Sequence, residues 1–232
     1  FIEINNSSDI TVSLVKTSKI DFLMETEYRK LFHNGKVQFD AAYLPTSDTK
    51  KTEGFIKMKG NYDMGGGTIT KWDTTLISDT SFLGKYGYND TDRFLNFVSY
   101  EKFKNHSFVE SSVLYYTSLR DSSLIEPLAV PNLNYQNHKY IKNTGVFIRE
   151  NYSLLGLSRK EGQGYTRVSA DVQLEKNWKT EGGLFLEGTG QIRSSFYKKN
   201  NTVSTEDILK IYPLVALEFN FPLIKVLNER QE

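Results

Sequence analysis

The chain has 232 residues, a formal net charge of +1 and no cysteine. The length suits one large all-β domain or two ordinary ones, the balanced charge offers nothing to draw nucleic acid, and disulfides and cysteine-based zinc or redox sites are excluded from this segment. Hydrophobic residues make up only 38% and mean hydropathy is −0.47, lean for a packed soluble domain, yet 13% of the residues are aromatic.

In chain order, residues 5–8 read as a polar turn. A strand over 10–16 follows, with Ile10, Val12 and Leu14 alternating with Thr11 and Ser13. Residues 20–43 are the clearest stretch. Phe22, Met24 and Tyr28 share one face, while Glu25, Glu27 and Arg29 share the other. After Asn34-Gly35 the alternation restarts, with Val37, Phe39 and Tyr43 opposite Lys36, Gln38 and Asp40. Alternation on both sides of Asn-Gly predicts an antiparallel hairpin with one apolar and one charged face. Pro45 ends it, because proline cannot donate to a ladder, and 46–53 is a polar loop. A second hairpin turns at Gly65-Gly66-Gly67. Ile56, Met58 and Tyr62 oppose Lys57 and Lys59, then Trp72 and Leu76 oppose Lys71 and Asp73.

Residues 78–92 read as a long loop. Strands at 93–103 and 107–119 flank Asn105, but their facing is ambiguous. Glu101 shares a row with Leu95 and Phe97, and Glu110 with Phe108 and Leu114. Residues 120–142 carry Pro127 and Pro131 and are expected to be an extended loop or an edge excursion. Further strands fall at 144–155, 165–176, 184–193 and 212–221, with a polar loop at 198–207. The pattern gives about eleven strands, most near ten residues long. Residues 1–225 are expected to form one unit and 226–232 a polar tail. No apolar run reaches the roughly 20 residues of a membrane-spanning helix. The start at Phe1, without a signal peptide, is expected of a fragment or a processed segment.

The apolar faces meet either a second sheet or lipid, and the local pattern is the same in both. Three features favour lipid. The strands approach the roughly 9–11 residues of membrane strands rather than the 5–6 usual in sandwiches. Tyr28, Tyr43, Tyr62 and Trp72 recur on the apolar face, as in interfacial girdles. Thr and Gly dilute that face, which suits lipid better than a close-packed core. The expected fold is therefore all-β, a partial antiparallel up-and-down transmembrane barrel of the outer-membrane type. Its charged rows would line a lumen. Glu25, Glu27, Arg29, Lys57, Lys59, Lys71 and Asp73 are the lumen-facing candidates. The lysines either neutralise the acids across the wall or meet phosphorylated sugars in transit. His33, His106 and His138 lie far apart in turns and loops and read as solvated rather than as ligands. No catalytic set or cofactor motif is expected.

Two groups of short motifs resemble the LptD family of lipopolysaccharide-assembly proteins, also called organic solvent tolerance proteins. The first runs from Met24 to Arg29 and on to Ala42-Tyr43-Leu44-Pro45. The second comprises Trp72-Asp73, the run from Ser78 to Leu83, Tyr86, Leu133 to Tyr135, and Tyr212-Pro213-Leu214 with Phe221-Pro222-Leu223. Their order and spacing carry the resemblance over most of residues 1–225. It implies a non-enzymatic translocon of the cell outer membrane. Such a translocon takes lipopolysaccharide from periplasmic Lpt bridge proteins through a jelly-roll domain, is plugged by an LptE-like lipoprotein, and releases cargo into membrane lipid through a lateral strand seam. The strand bearing Ile10, Val12 and Leu14 would flank that gate. The jelly roll, the later strands and the family's cysteines are not in this segment. A general porin is the alternative that the pattern leaves open. An enzyme barrel or a soluble sandwich would need a catalytic set or solubility without detergent.

Overall fold

The computed structural model describes residues 1–17, 20–45, 53–88, 92–119, 126–200 and 207–222. They form one antiparallel sheet of thirteen strands in strict chain order. The strands are β1 (Ile2–Asn5), β2 (Ser8–Thr17), β3 (Ile20–Phe32), β4 (Gly35–Leu44), β5 (Glu53–Gly65), β6 (Thr68–Ile77), β7 (Arg93–Lys104), β8 (Ser107–Ser118), β9 (Leu128–Ile141), β10 (Val146–Ser158), β11 (Gly164–Lys179), β12 (Phe185–Asn200) and β13 (Ile208–Asn220). A single helical turn, α1 (Phe82–Lys85), interrupts the connection from β6 to β7. β1 and β13 are the two edges, and the sheet is not closed between them.

The connections divide between the two ends of the sheet, and the longest gather at one of them. Tight turns at Asn6-Ser7, His33-Asn34, Gly66-Gly67 and Asn105-His106, with 142–145 and 180–184, lie at one end. The connections after β2, β4, β6, β8, β10 and β12 lie at the other, and those after β4, β6, β8 and β12 are the long ones. Outer-membrane barrels have this asymmetry, with short turns on the periplasmic side.

Register carries the two-faced pattern across the sheet. Glu27 pairs with Asp40, Asp40 with Lys57, Lys59 with Asp73, and Asp73 with Phe97. The same row continues through Glu101, Glu110, Asn134, Ser153, Ser169 and Ser195. The opposite row runs from Met24 and Tyr43 to Ile192 and Val215 and is overwhelmingly apolar. It is also exposed, with Leu14 at 69%, Leu76 at 71% and Val215 at 86%. A soluble sheet would not leave such a face uncovered. On this face both tryptophans lie across a glycine of the neighbouring strand. A Cβ at Gly60 would sit 2.5 Å from the Trp72 ring, and one at Gly188 would sit 2.8 Å from Trp178. Each ring covers a gap in the wall that a side chain on the glycine would close.

The structure adds two strands to the sequence reading. β1 spans four residues, too few for alternation to register. β9 occupies residues 128–141, where a loop or edge excursion was expected. Its Pro131 is accommodated because the pairing skips there on both sides. Ser112/Asn132 steps to Leu114/Ala129, and Leu155/Asn132 steps to Leu157/Ala129. A bulge leaves the missing N–H without a ladder partner to satisfy. His138, expected in a loop, lies in β9. The expected turn at 17–19, the loop at 46–53 and the polar tail 226–232 fall wholly or largely outside the described residues.

Candidate functional site

The charged row is concave. One cavity of 610 Å³ is bounded by Thr11, Glu25, Asp40, Lys57, Thr75 and Phe94, which come from six successive strands. A second, of 730 Å³ and nearer the short turns, is lined from β1 to β7 and includes Glu3, Arg29, Lys36, Lys59, Lys71 and Asp73. All seven lumen-facing candidates therefore share one concave face, as period-two alternation dictates.

Their partners match those expected only in part. Asp9 accepts from Arg29 Nε at 3.0 Å, and Glu27 lies 3.9 Å from the same nitrogen. Gln38 Nε2 donates to Glu27 at 3.1 Å and to Asp40 at 2.9 Å. Lys57 approaches Asp73 at 3.9 Å, although Lys59 is the residue directly opposite Asp73 in register. Lys71 reaches Glu101 on the next strand at 2.7 Å. Lys59 has no ion pair among the described residues. The lysines do not neutralise Glu25. Its carboxylate instead accepts a short hydrogen bond from the Tyr88 hydroxyl, which comes from the long connection between β6 and β7.

That connection folds onto the concave face. Phe82 is fully buried and Leu83 is 3% exposed, and they pack with Leu23, Ala42 and Leu44. Phe55, Ile77, Tyr86, Tyr88 and Phe94 close around them. Phe82 and Tyr88 stack with centroids 6.0 Å apart, and Phe55 meets Tyr88 edge-on at 4.8 Å. The sequence signal was present. Leu23, Leu44, Phe55 and Ile77 are apolar residues at the long-loop end of an otherwise charged row, and a lumen open to water gives them no partner. Burial and the Glu25 carboxylate both raise the Tyr88 pKa above the usual tyrosine value. The bond is therefore fully present below pH about 10 and is lost as pH rises through the raised folded value. We expect Tyr88→Phe to remove the latest-titrating phenol from an alkaline absorbance titration of the folded protein. An unchanged titration curve would contradict the assignment.

Beyond β8 the same row is a ladder of amides, arginines and acids. Asp171 accepts from Gln191 at 2.7 Å and from Arg193 at 2.9 Å. Arg149 donates to Gln173 at 3.2 Å and lies 3.4 Å from Glu175. Among the described residues, no group of three or more His, Cys, Asp or Glu side chains is placed to hold a metal ion. Ile10, Val12 and Leu14 lie on the apolar face of β2. Only the first of them is paired to β1, through Ile2.

Long antiparallel strands in chain order, a polar concave face and an exposed apolar face define the wall of a transmembrane β-barrel of the outer-membrane type. The family model LptD, described as LPS transport system D, matches residues 51–225, and the chain belongs to that family. The match begins just ahead of β5, so the hairpin of β3 and β4 lies outside it. No curated protein matches the chain.

Proposed function

We propose that this chain is part of the wall of the outer-membrane translocon that inserts lipopolysaccharide into the outer leaflet, and that it makes and breaks no covalent bond. The observation that carries this reading, beside the family, is the basic character of the 730 Å³ cavity. Arg29, Lys36, Lys59 and Lys71 line it against Glu3, Asp9 and Asp73. Lys59 has no ion pair among the described residues. A phosphorylated saccharide entering from the short-turn end would meet this patch first. Glu25, Glu27, Asp40 and Lys57 then line the hydrated, more acidic wall beyond it. In this reading an LptE-like lipoprotein occupies the lumen and periplasmic Lpt bridge proteins deliver the cargo through a jelly-roll domain. Residues 1–225 act as one unit and 226–232 as a polar tail.

The acyl chains would leave through a seam into the bilayer. Backbone groups unpaired in hydrocarbon cost several kcal/mol each, so a seam belongs where pairing is already short. β2, with Ile10, Val12 and Leu14, is the candidate flank, since β1 pairs with it only as far as Ile10.

The test is a photo-crosslinking residue at Lys59 or Lys36 of the full-length protein in cells. Lipopolysaccharide adducts are expected at both sites, and they should fade when periplasmic supply is cut off. Lack of adducts at both sites during normal lipopolysaccharide delivery would remove this role for the cavity. Free ionic conductance by the purified protein, without a bound partner, would favour a general porin.

A further inference from the structure

The outward face carries a feature that cargo transport does not use. Four strands run toward the short-turn end and finish alike. Lys30 in β3, Lys102 in β7 and Lys139 in β9 each stand two residues before the strand's last residue, and Lys176 in β11 stands three before. Register places every one of them in the apolar row. Lys30 is opposite Val37, Lys102 opposite Val109, Lys139 opposite Ile148, and Lys176 opposite Val146. None has an ion pair among the described residues. Glu150 is the one carboxylate in the outward rows of the described strands. It lies deeper in β10, where Asn137 donates to it at 2.9 Å.

Two of the four ammonium groups are seen to bend toward the turns. Lys30 Nζ lies 5.1 Å from the centroid of Phe32, and Lys176 Nζ lies 5.4 Å from that of Trp178. Both rings are two residues nearer the turn. This is the snorkelling geometry of a lysine whose stem is in hydrocarbon and whose charge seeks the interface. Aromatic rings at that level belong to the interfacial belt. β5, which ends at the same side without a lysine, places Tyr62 there.

We infer that this end of the barrel wall carries a basic collar that selects anionic phospholipid headgroups from the leaflet around the short turns. The collar brings four positive charges toward the headgroup level, with Glu150, diagonal to Lys139, as the one outward acid near them in the described strands. Its complement is a phosphate-bearing lipid with net negative charge, and basic residues near such a surface attract it through short-range, salt-screened electrostatics. The inference rests on the barrel-wall reading but needs no cargo.

The experiment reconstitutes the full-length protein into mixed vesicles of phosphatidylcholine and phosphatidylglycerol. Spin-labelled versions of each lipid then report the motionally restricted shell. We expect about a two- to fivefold preference for the anionic label, falling with added salt. Substituting Lys30→Gln, Lys102→Gln, Lys139→Gln and Lys176→Gln together should bring the ratio to that of the bulk lipid. The paired variants K30Q/K102Q and K139Q/K176Q, each expected to lose part of the preference, serve if the fourfold variant does not fold. Equal shells for wild type and variants would overturn the collar and leave the translocon reading untouched. A protein that restricts no lipid would overturn the wall as well.

Discussion

Replacing Phe82 with alanine is expected to free segment 78–88 from the concave face while the strands stay folded. Among the described residues Phe82 is the one large side chain at 0% exposure, and it touches Phe55, Tyr86 and Tyr88 with centroids 6.3, 4.7 and 6.0 Å away. Truncating a buried phenylalanine typically costs about 3–5 kcal/mol. The remaining anchors include Leu83, the Tyr88–Glu25 hydrogen bond, an ion pair between Lys85 and Glu53 at 3.6 Å and, at the start of the segment, the hydrogen bonds of Ser78 to Gly54. Lys85 in that pair is 55% exposed, so the pair adds little. The open form of the loop should therefore rise by about two orders of magnitude or more. Limited proteolysis of the folded barrel reads this directly as faster cleavage within 78–88. Ionic conductance of the purified full-length protein should rise with it, because the apolar cluster no longer occupies the concave face. Leu31→Ala, at a side chain 62% exposed at the far end of β3, should change neither readout. Cleavage of Phe82→Ala at the wild-type rate would show that the loop is held by something other than this cluster.

The strands were legible wherever one face meets a nonpolar medium, because that constraint imposes period two. The runs around Glu25, Lys57 and Asp171 alternate cleanly for this reason, and their rows are those of the structure. β9 was not legible because both of its rows are polar in part. Asn132, Asn134 and Gln136 face inward, while Asn137 and Lys139 interrupt the outward Leu133 and Tyr135. The Pro131 bulge then breaks the period at its start. The ion pairs were only half legible. Composition shows that the acids and bases share a face, but which lysine meets which acid depends on side-chain reach across register. Lys57 rather than Lys59 approaches Asp73, and Lys71 turns to Glu101, which pairs in register with Ile69. The inward fold of the β6–β7 connection is a tertiary event. Phe82, Leu83, Tyr86 and Tyr88 in the long loop, set against apolar Leu23, Phe55 and Ile77 in a charged row, were its trace in the sequence.

Two neighbouring arginine substitutions on β12 separate lipid from any other cover for the apolar face. Ile192 is 59% exposed, points outward near the middle of the strand, and lies between Val172 and Pro213. Gln191 points inward and donates to Asp171. In a bilayer, Ile192→Arg places a cation near the hydrocarbon midplane and should cost about 2–4 kcal/mol. Gln191→Arg, beside a carboxylate in a hydrated lumen, should stay within about 0.5 kcal/mol of wild type. Denaturant titration in phospholipid vesicles, followed by heat-modifiable gel migration, measures both. The size of the gap does not by itself exclude a second sheet, since a buried arginine is costly there too. Depth dependence does. Lipid predicts that the cost falls to about 0–1 kcal/mol for Leu186→Arg and Phe196→Arg, which share the outward row of β12 but lie toward its two ends. A packed sheet has no such gradient, because its penalty follows local packing rather than distance from a midplane. Lys176 pairs in register with Gly188 of the same outward row and already places a charge near that end. A uniform penalty along the row would place protein, not lipid, against this face.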